Sequence, residues 1–128
     1  MSKLSLQVLP DLYSICKLSP DSAIPEWALS SAFVSISRSS DELSILAPEP
    51  LIPSDLRQES GWRGLEVSGP LDFSMVGVIH SLTAPLVEIG VSVFVVSTIL
   101  TDHLFVKGEN LERSLEALRK SDILSSVN

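Results

Sequence analysis

The chain has 128 residues, nine Lys and Arg against 16 Asp and Glu, and a net charge of −7. Its sequence pI is near 4.6 and its mean hydropathy is +0.33. That balance argues against a nucleic-acid binder, which needs a basic stripe to neutralise phosphates, and disfavours anionic membrane surfaces. It also excludes disorder as the main state. A single cysteine, Cys16, forbids an intrachain disulfide and a thiolate zinc site, and two histidines, His80 and His103, are too few for a His-rich metal site. No cofactor or metal is expected. The N-terminal stretch lacks the apolar run of a signal peptide, and a reducing, cytoplasmic location is the simple expectation.

In chain order, Leu4 to Val8 and Leu12 to Lys17 read as two strands around Pro10-Asp11. Pro25 to Ser30 has room for a short helix. Ala32 to Ser37 and Leu43 to Ala47 predict a hairpin around residues 38–42. Pro48, Pro50 and Pro53 punctuate the connection that follows, with a short helix after Ser54. Trp62 to Val67 is a strand, and Gly69-Pro70 a turn. Phe73, Val76, Ile79, Leu82, Leu86 and Ile89 recur at helical spacing. Asp72 or Ser74 could cap that helix, and Pro85 should kink it or break its last turns.

Leu82 to Leu100 is apolar enough to raise a membrane span, but Pro85, Glu88 and Gly90 interrupt it. Gly90 reads as the residue that ends the helix. Val91 to Ile99, dense in β-branched residues, reads as a buried strand. A turn at Leu100-Thr101-Asp102 leads to a strand His103 to Val106. Asn110 caps a last helix whose stripe is Leu111, Leu115 and Leu118, with Glu109–Arg113 and Glu116–Lys120 pairs on its wet side. The order β-α-β-β-α is one strand short of a split βαβ sandwich. Ile123 to Val127 or the N-terminal segment could supply it.

The halves show a faint repeat at an offset of 61, which sets Phe33 on Phe94, Asp41 on Asp102 and Leu43 on Leu104. Lobes are expected at residues 1–60 and 61–128. Each is marginal alone, and exposed strand edges favour a homodimer.

Gly69-Pro70-Leu71-Asp72-Phe73-Ser74-Met75-Val76-Gly77, then Ala84-Pro85-Leu86, Gly90-Val91-Ser92-Val93-Phe94, and Ser97-Thr98-x-x-Thr101-Asp102-x-x-x-Val106 resemble the ACT-domain family. More narrowly, they resemble short tandem-ACT proteins related to the ACT modules of aspartate kinases and of a cytosolic arginine sensor. The resemblance covers residues 61–120, and residues 32–46 more loosely. It implies an α+β fold of two ferredoxin-like ACT-type lobes packed side by side. It also implies a free amino acid at a lobe or subunit interface, and no catalysis. By that resemblance, the residue matching Asp102 binds a guanidinium, and those matching Thr98 and Ile99 line the pocket. Asp72, Phe73, Gly77 and Val78 match positions of the pocket-lining loop and helix. The sequence departs from the arginine-sensing pattern at Asp72, where a glycine stands there, and at Ile99 and Leu100.

The residues themselves offer matching chemistry. A glycine loop before a helix, Gly69 to Ser74, presents N–H groups to a carboxylate. Ser97 and Thr98 offer hydroxyls to an ammonium, and Asp102 could hold a cationic side chain. Each also has a structural reading: Asp102 and Gly69 as turn residues, Gly77 as a packing glycine, Asp72 as a cap. His80 falls off the apolar stripe and reads as solvated or at an interface; His103 reads as packing. No phosphate loop, metal cluster or catalytic triad is visible. The expected function is a non-catalytic regulatory amino-acid-binding protein, acting alone or on a protein partner. The alternative is an ACT-fold interaction module without a ligand.

Overall fold

The structure is a computed structural model and describes residues 4–72, 74–121 and 124–127. Seven strands and two helices follow one another as β1 (Leu4–Leu18), β2 (Ser35–Arg38), β3 (Leu43–Pro48), β4 (Glu59–Val67), α1 (Val78–Glu88), β5 (Phe94–Ser97), β6 (Asp102–Lys107), α2 (Leu111–Lys120) and β7 (Leu124–Val127). They fall into two compact units, Met1–Pro10 with Arg63–Asn128, and Asp11–Trp62. Strands β1 and β4 each contribute to both. No helix among the described residues is long and apolar enough to cross a membrane.

In the larger unit the strands run β7-β1-β4-β6-β5, and helices α1 and α2 pack on the sheet. The succession β4-α1-β5-β6-α2 leaves one position open beside β4. The N-terminal segment takes it, with the Ser68 N–H donating to the Ser5 carbonyl at 2.8 Å. Leu124–Val127 then pairs in parallel along the far edge of β1. Both candidate segments are therefore used, one inside the other. Alternation along the strands puts Leu4, Leu6, Leu65, Val67, Leu104 and Val106 on one face. Val78, Leu82 and Leu86 of α1 cover it, with Leu111, Leu115 and Leu118 of α2. Each such leucine contributes roughly 1.5–3 kcal/mol by leaving water.

Helix α1 differs from expectation at its start. It begins at Val78, not Phe73, because Asp72 and Ser74 spend their capping chemistry on a turn. The Asp72 carboxylate accepts from the Ser74 N–H at 3.0 Å and the Ser74 hydroxyl at 2.8 Å, and the Met75 N–H donates to the Asp72 carbonyl at 3.0 Å. Gly77, at φ +85°, then turns the chain into the helix. Phe73 lies outside the described residues. Pro85 does not end the helix, which continues to Glu88. The end is the one expected. Gly90 has φ +72°, its N–H donates to Val87, and the Val91 N–H donates to Leu86, both at 3.0 Å. Val91 and Leu86 are both buried, the apolar contact that accompanies this cap. Val91 is thereby taken from the strand, and β5 shortens to Phe94–Ser97.

The smaller unit pairs β2 with β3, and β3 with the second half of β1, over a core of Cys16, Leu43, Ile45 and Ala47 with Ala28 and Ile52. The two strands expected around Pro10-Asp11 are one continuous strand. The short helices expected near residues 25–30 and after Ser54 are single 3-10 turns at Glu26–Ala28 and Ser54–Leu56.

The two hairpins turn alike. In one, the Ser39 N–H donates to the Glu42 carbonyl at 2.9 Å, and the Ser39 hydroxyl oxygen accepts from the N–H groups of Asp41 and Glu42. In the other, the Thr98 N–H donates to the Thr101 carbonyl at 2.9 Å, and the Thr98 hydroxyl oxygen accepts from Leu100 and Thr101. The pairings Ser35↔Leu46 and Phe94↔Phe105 superpose at an offset of 59, the same spacing that sets Ser39 on Thr98. The hairpins thus superpose by strand register and turn bonding at 59, two residues from the offset of 61 read in the sequence.

A cleft between the β5–β6 turn and the start of α1

The turn Thr98–Thr101 is anchored from below. The buried Thr101 hydroxyl donates to the Val67 carbonyl at 2.6 Å, at the end of β4. The segment entering α1 is tied to the same turn, through the Leu71 N–H and the Leu100 carbonyl at 2.8 Å. Gly69 permits this approach: a Cβ there would stand 3.1 Å from the Leu100 carbonyl oxygen and 3.2 Å from the Thr101 Cβ. Between these pieces opens a cleft of about 460 Å³.

Three walls enclose it. Leu71, Asp72 and Met75 come from the segment before the helix; Gly77, Val78, Ile79 and His80 are the start of α1; Ser97 to Asp102 are the hairpin. Of the nine residues singled out from sequence, the structure brings seven to this cleft: Asp72, Gly77, Val78, Ser97, Thr98, Ile99 and Asp102. Gly69 lies beneath the turn and does not line it. Phe73 is outside the described residues.

The anion-receiving element is displaced from the expected place. The helix starts at Val78, after this loop, and the Asp72 carboxylate already occupies the Ser74 N–H. The first intrahelical bond runs from Ser81 to Gly77, at 2.9 Å. The N–H groups of Val78, Ile79 and His80 precede it and have no helical carbonyl to bond. They form the positive end of the helix dipole, and the three residues that carry them line the cleft.

The opposite wall is polar and acidic. Asp102 opens β6 opposite Ser97, and its carboxylate accepts from the Ser97 hydroxyl at 2.6 Å. The backbone N–H of Ser74, followed by its hydroxyl, holds the Asp72 carboxyl below its ordinary value. Among the described residues, Asp72, Asp102 and His80 are the cleft's titratable side chains, and no Lys or Arg lines it. Ile99 and Leu100 are largely exposed on the turn.

His80, Thr101, Leu71, Met75, Ile79 and Leu100 were not singled out from sequence. His80 is exposed as expected, but it lines the cleft. The signal that could have found it is position: it is the third residue of the helix once Gly77 is taken as the start. His103, expected as packing, is buried and its Nε2 lies 2.9 Å from a Glu66 carboxylate oxygen. Cys16 is buried in the smaller unit, where desolvation pushes its thiol above the ordinary value. No group of three His, Cys, Asp or Glu able to hold a metal occurs among the described residues.

The same hairpin turn in the smaller unit carries different neighbours. At the offset of 59, Arg38 stands where Ser97 does and Leu43 where Asp102 does. Arg38 donates to the carbonyls of Pro20 and Ser22, and no α-helix lies in that unit among the described residues. The Ser97–Asp102 pair therefore has no counterpart at the other turn, where Arg38 pairs with Leu43.

Residues 57–120 match the ACT domain, half the length of the chain, and residues 11–55 match a separate family described as an N-terminal domain. The chain belongs to the ACT-domain family. It is similar over its whole length to a crystal structure of a protein from Agobacterium tumefaciens, with 37% identity, 96% of that chain covered and a TM-score of 0.90. A Vibrio cholerae protein of unknown function, described as a possible transport protein, is 20% identical over 93% of this chain and 90% of that one, with a TM-score of 0.73. The regulatory subunit of aspartate kinase from Thermus flavus shares the fold at 12% identity, over 94% of this chain and 99% of that one, with a TM-score of 0.63. No curated protein matches the chain.

Proposed function

We propose that this chain is a non-catalytic regulatory protein that binds one free amino acid in the cleft between the β5–β6 turn and α1. The observation that carries the reading is the pairing of walls: the first turn of α1 on one side, and the Ser97–Asp102 pair with the Thr98 turn on the other. An α-carboxylate fits the N–H groups of Val78 to His80. An ammonium fits Asp102 and the turn hydroxyls. Two carboxylates against no Lys or Arg favour a ligand whose side chain is also cationic. The Ser97 hydroxyl donates to the Asp102 carboxylate, a pairing that suits holding a ligand's cationic group.

The shared turn geometry supports a duplicated origin of the two hairpins, one in each compact unit. The Arg38 and Leu43 positions then explain why one ligand, not two, is held per chain. Output passes to a protein partner or through assembly, by linkage to ligand occupancy. Apolar Val76, Ile99 and Leu100, all largely exposed beside the cleft, suit coverage by a second copy in a cytoplasmic homodimer.

Thermal unfolding with each of the twenty amino acids tests this. A ligand at a hundredfold excess over its Kd stabilises the fold by about 2.7 kcal/mol, a Tm rise on the order of 8 °C. Asp102→Ala should abolish the rise. No rise with any amino acid, alongside stable capture of a protein partner, would make the chain an interaction module without a ligand.

A further inference from the structure

His80 stands at a junction that the proposed function leaves unassigned. It lines the cleft, and it also lines a second concavity of about 630 Å³ between α1 and α2. It is the third residue of α1, whose first three residues all line the cleft. Among the described lining residues of the cleft it is the one side chain able to carry positive charge. Its charged neighbours differ on the two sides. Asp72 and Asp102 share the cleft with it; Glu88, Glu116, Arg113 and Lys120 share the groove. In the groove, Lys120 is already paired with Glu116 at 3.0 Å, and Arg113 donates to the Asn110 side chain at 3.1 Å.

We propose that His80 is the counter-ion of the ligand's carboxylate, so that the cleft selects amino acids over their carboxylate-lacking analogues and holds them more tightly at low pH. The inference rests on the amino-acid reading above. Backbone N–H groups receive an anion but do not titrate. Asp72 and Asp102 repel it. A protonated imidazole at the third helical position adds a charge-assisted bond to the same anion. Histidine is the side chain that changes charge between about pH 5 and 8. Binding of an anion favours the protonated ring, so affinity is greatest below that range and falls as pH rises through it. Asp72, held ionised by Ser74, does not supply a step in this window.

The size of the effect follows from exposure. His80 is exposed, and an exposed ion pair is worth at most about a fivefold change in affinity. The cleft discriminates on this term because no other cationic side chain competes for the carboxylate.

The test uses the full chain, the twenty amino acids, and the α-carboxamide of each one that binds, by calorimetry at about pH 5.5 and about pH 8. Wild type should bind about fivefold more tightly at the lower pH. His80→Gln should bind weakly and equally at both, and at the lower pH should lose about fivefold of the preference for amino acid over carboxamide. His80→Lys should restore tight binding and give a flat profile. Equal urea midpoints for the three proteins show that folding is not the cause. Binding with a wild-type pH step that survives His80→Gln, or with no step, overturns the role of His80 and leaves the amino-acid reading standing. Binding of none of the twenty at either pH overturns both.

Discussion

Replacing Gly77 separates backbone strain from every other effect. A Cβ at this position meets nothing within 4 Å, so no steric clash enters. What remains is φ of +85°. An alanine held there costs about 1–2 kcal/mol. Against that, alanine stiffens the unfolded chain and recovers about 0.4–1 kcal/mol. Gly77→Ala should therefore destabilise by about 0.5–1 kcal/mol. With a urea m-value of about 1.5 kcal/mol per molar, the midpoint falls by about 0.5 M and m does not change. Asparagine tolerates left-handed backbone, so Gly77→Asn should lie between the two. The sign decides. If the helix instead began at Phe73 with Gly77 in ordinary helical backbone, Gly77→Ala would raise the midpoint by about 0.5 M. That result would refute the helix start, and with it the placement of the first turn of α1 on the cleft wall.

Other outcomes follow from single contacts. Thr101→Val removes the hydroxyl that satisfies the Val67 carbonyl at 2.6 Å, and should cost about 1–3 kcal/mol in urea unfolding; no loss would mean the turn is not anchored there. Gly64→Ala places a Cβ 2.8 Å from both Leu9 Cδ1 and Phe105 Cε2, with Phe105 fully buried, and should cost about 1–3 kcal/mol; a neutral result would contradict that packing. Cys16, 1% exposed, should not react with a disulfide reagent near pH 8 until urea unfolds the chain. Its folded thiol is raised by burial, so its contribution to stability is full below the unfolded value and is lost as pH rises above about 9. Cys16→Ala should remove that alkaline fall in the urea midpoint; an unchanged fall would place its source elsewhere.

Much of the larger unit was legible because its signals are single-valued. Gly90 after an apolar helical stripe can end a helix, and the bonds at Leu86 and Val87 show that it does. Leu111, Leu115 and Leu118 repeat at one period and are all buried. The start of α1 was not legible, because Asp72 and Ser74 cap turns and helices with the same chemistry. The continuous strand through Pro10 was hidden for a related reason: proline signals a break, yet exposed Pro10 remains within β1. Strand-end chemistry and family resemblance together pointed to the hairpin residues and to Asp72, Gly77 and Val78, which the structure sets around one cleft. His80 and Thr101 escaped because their places depend on the helix start and on a hydroxyl reaching Val67 from a distant segment.

The most direct measurement is a titration of the isotope-labelled protein with the twenty amino acids, followed by backbone amide NMR. The account predicts that a binding amino acid moves the amide resonances of Val78, Ile79 and His80 together with those of Thr98 to Asp102, and leaves the equivalent turn at Ser39 to Glu42 unmoved. Shifts confined to the smaller unit, or to the groove between α1 and α2, would contradict it.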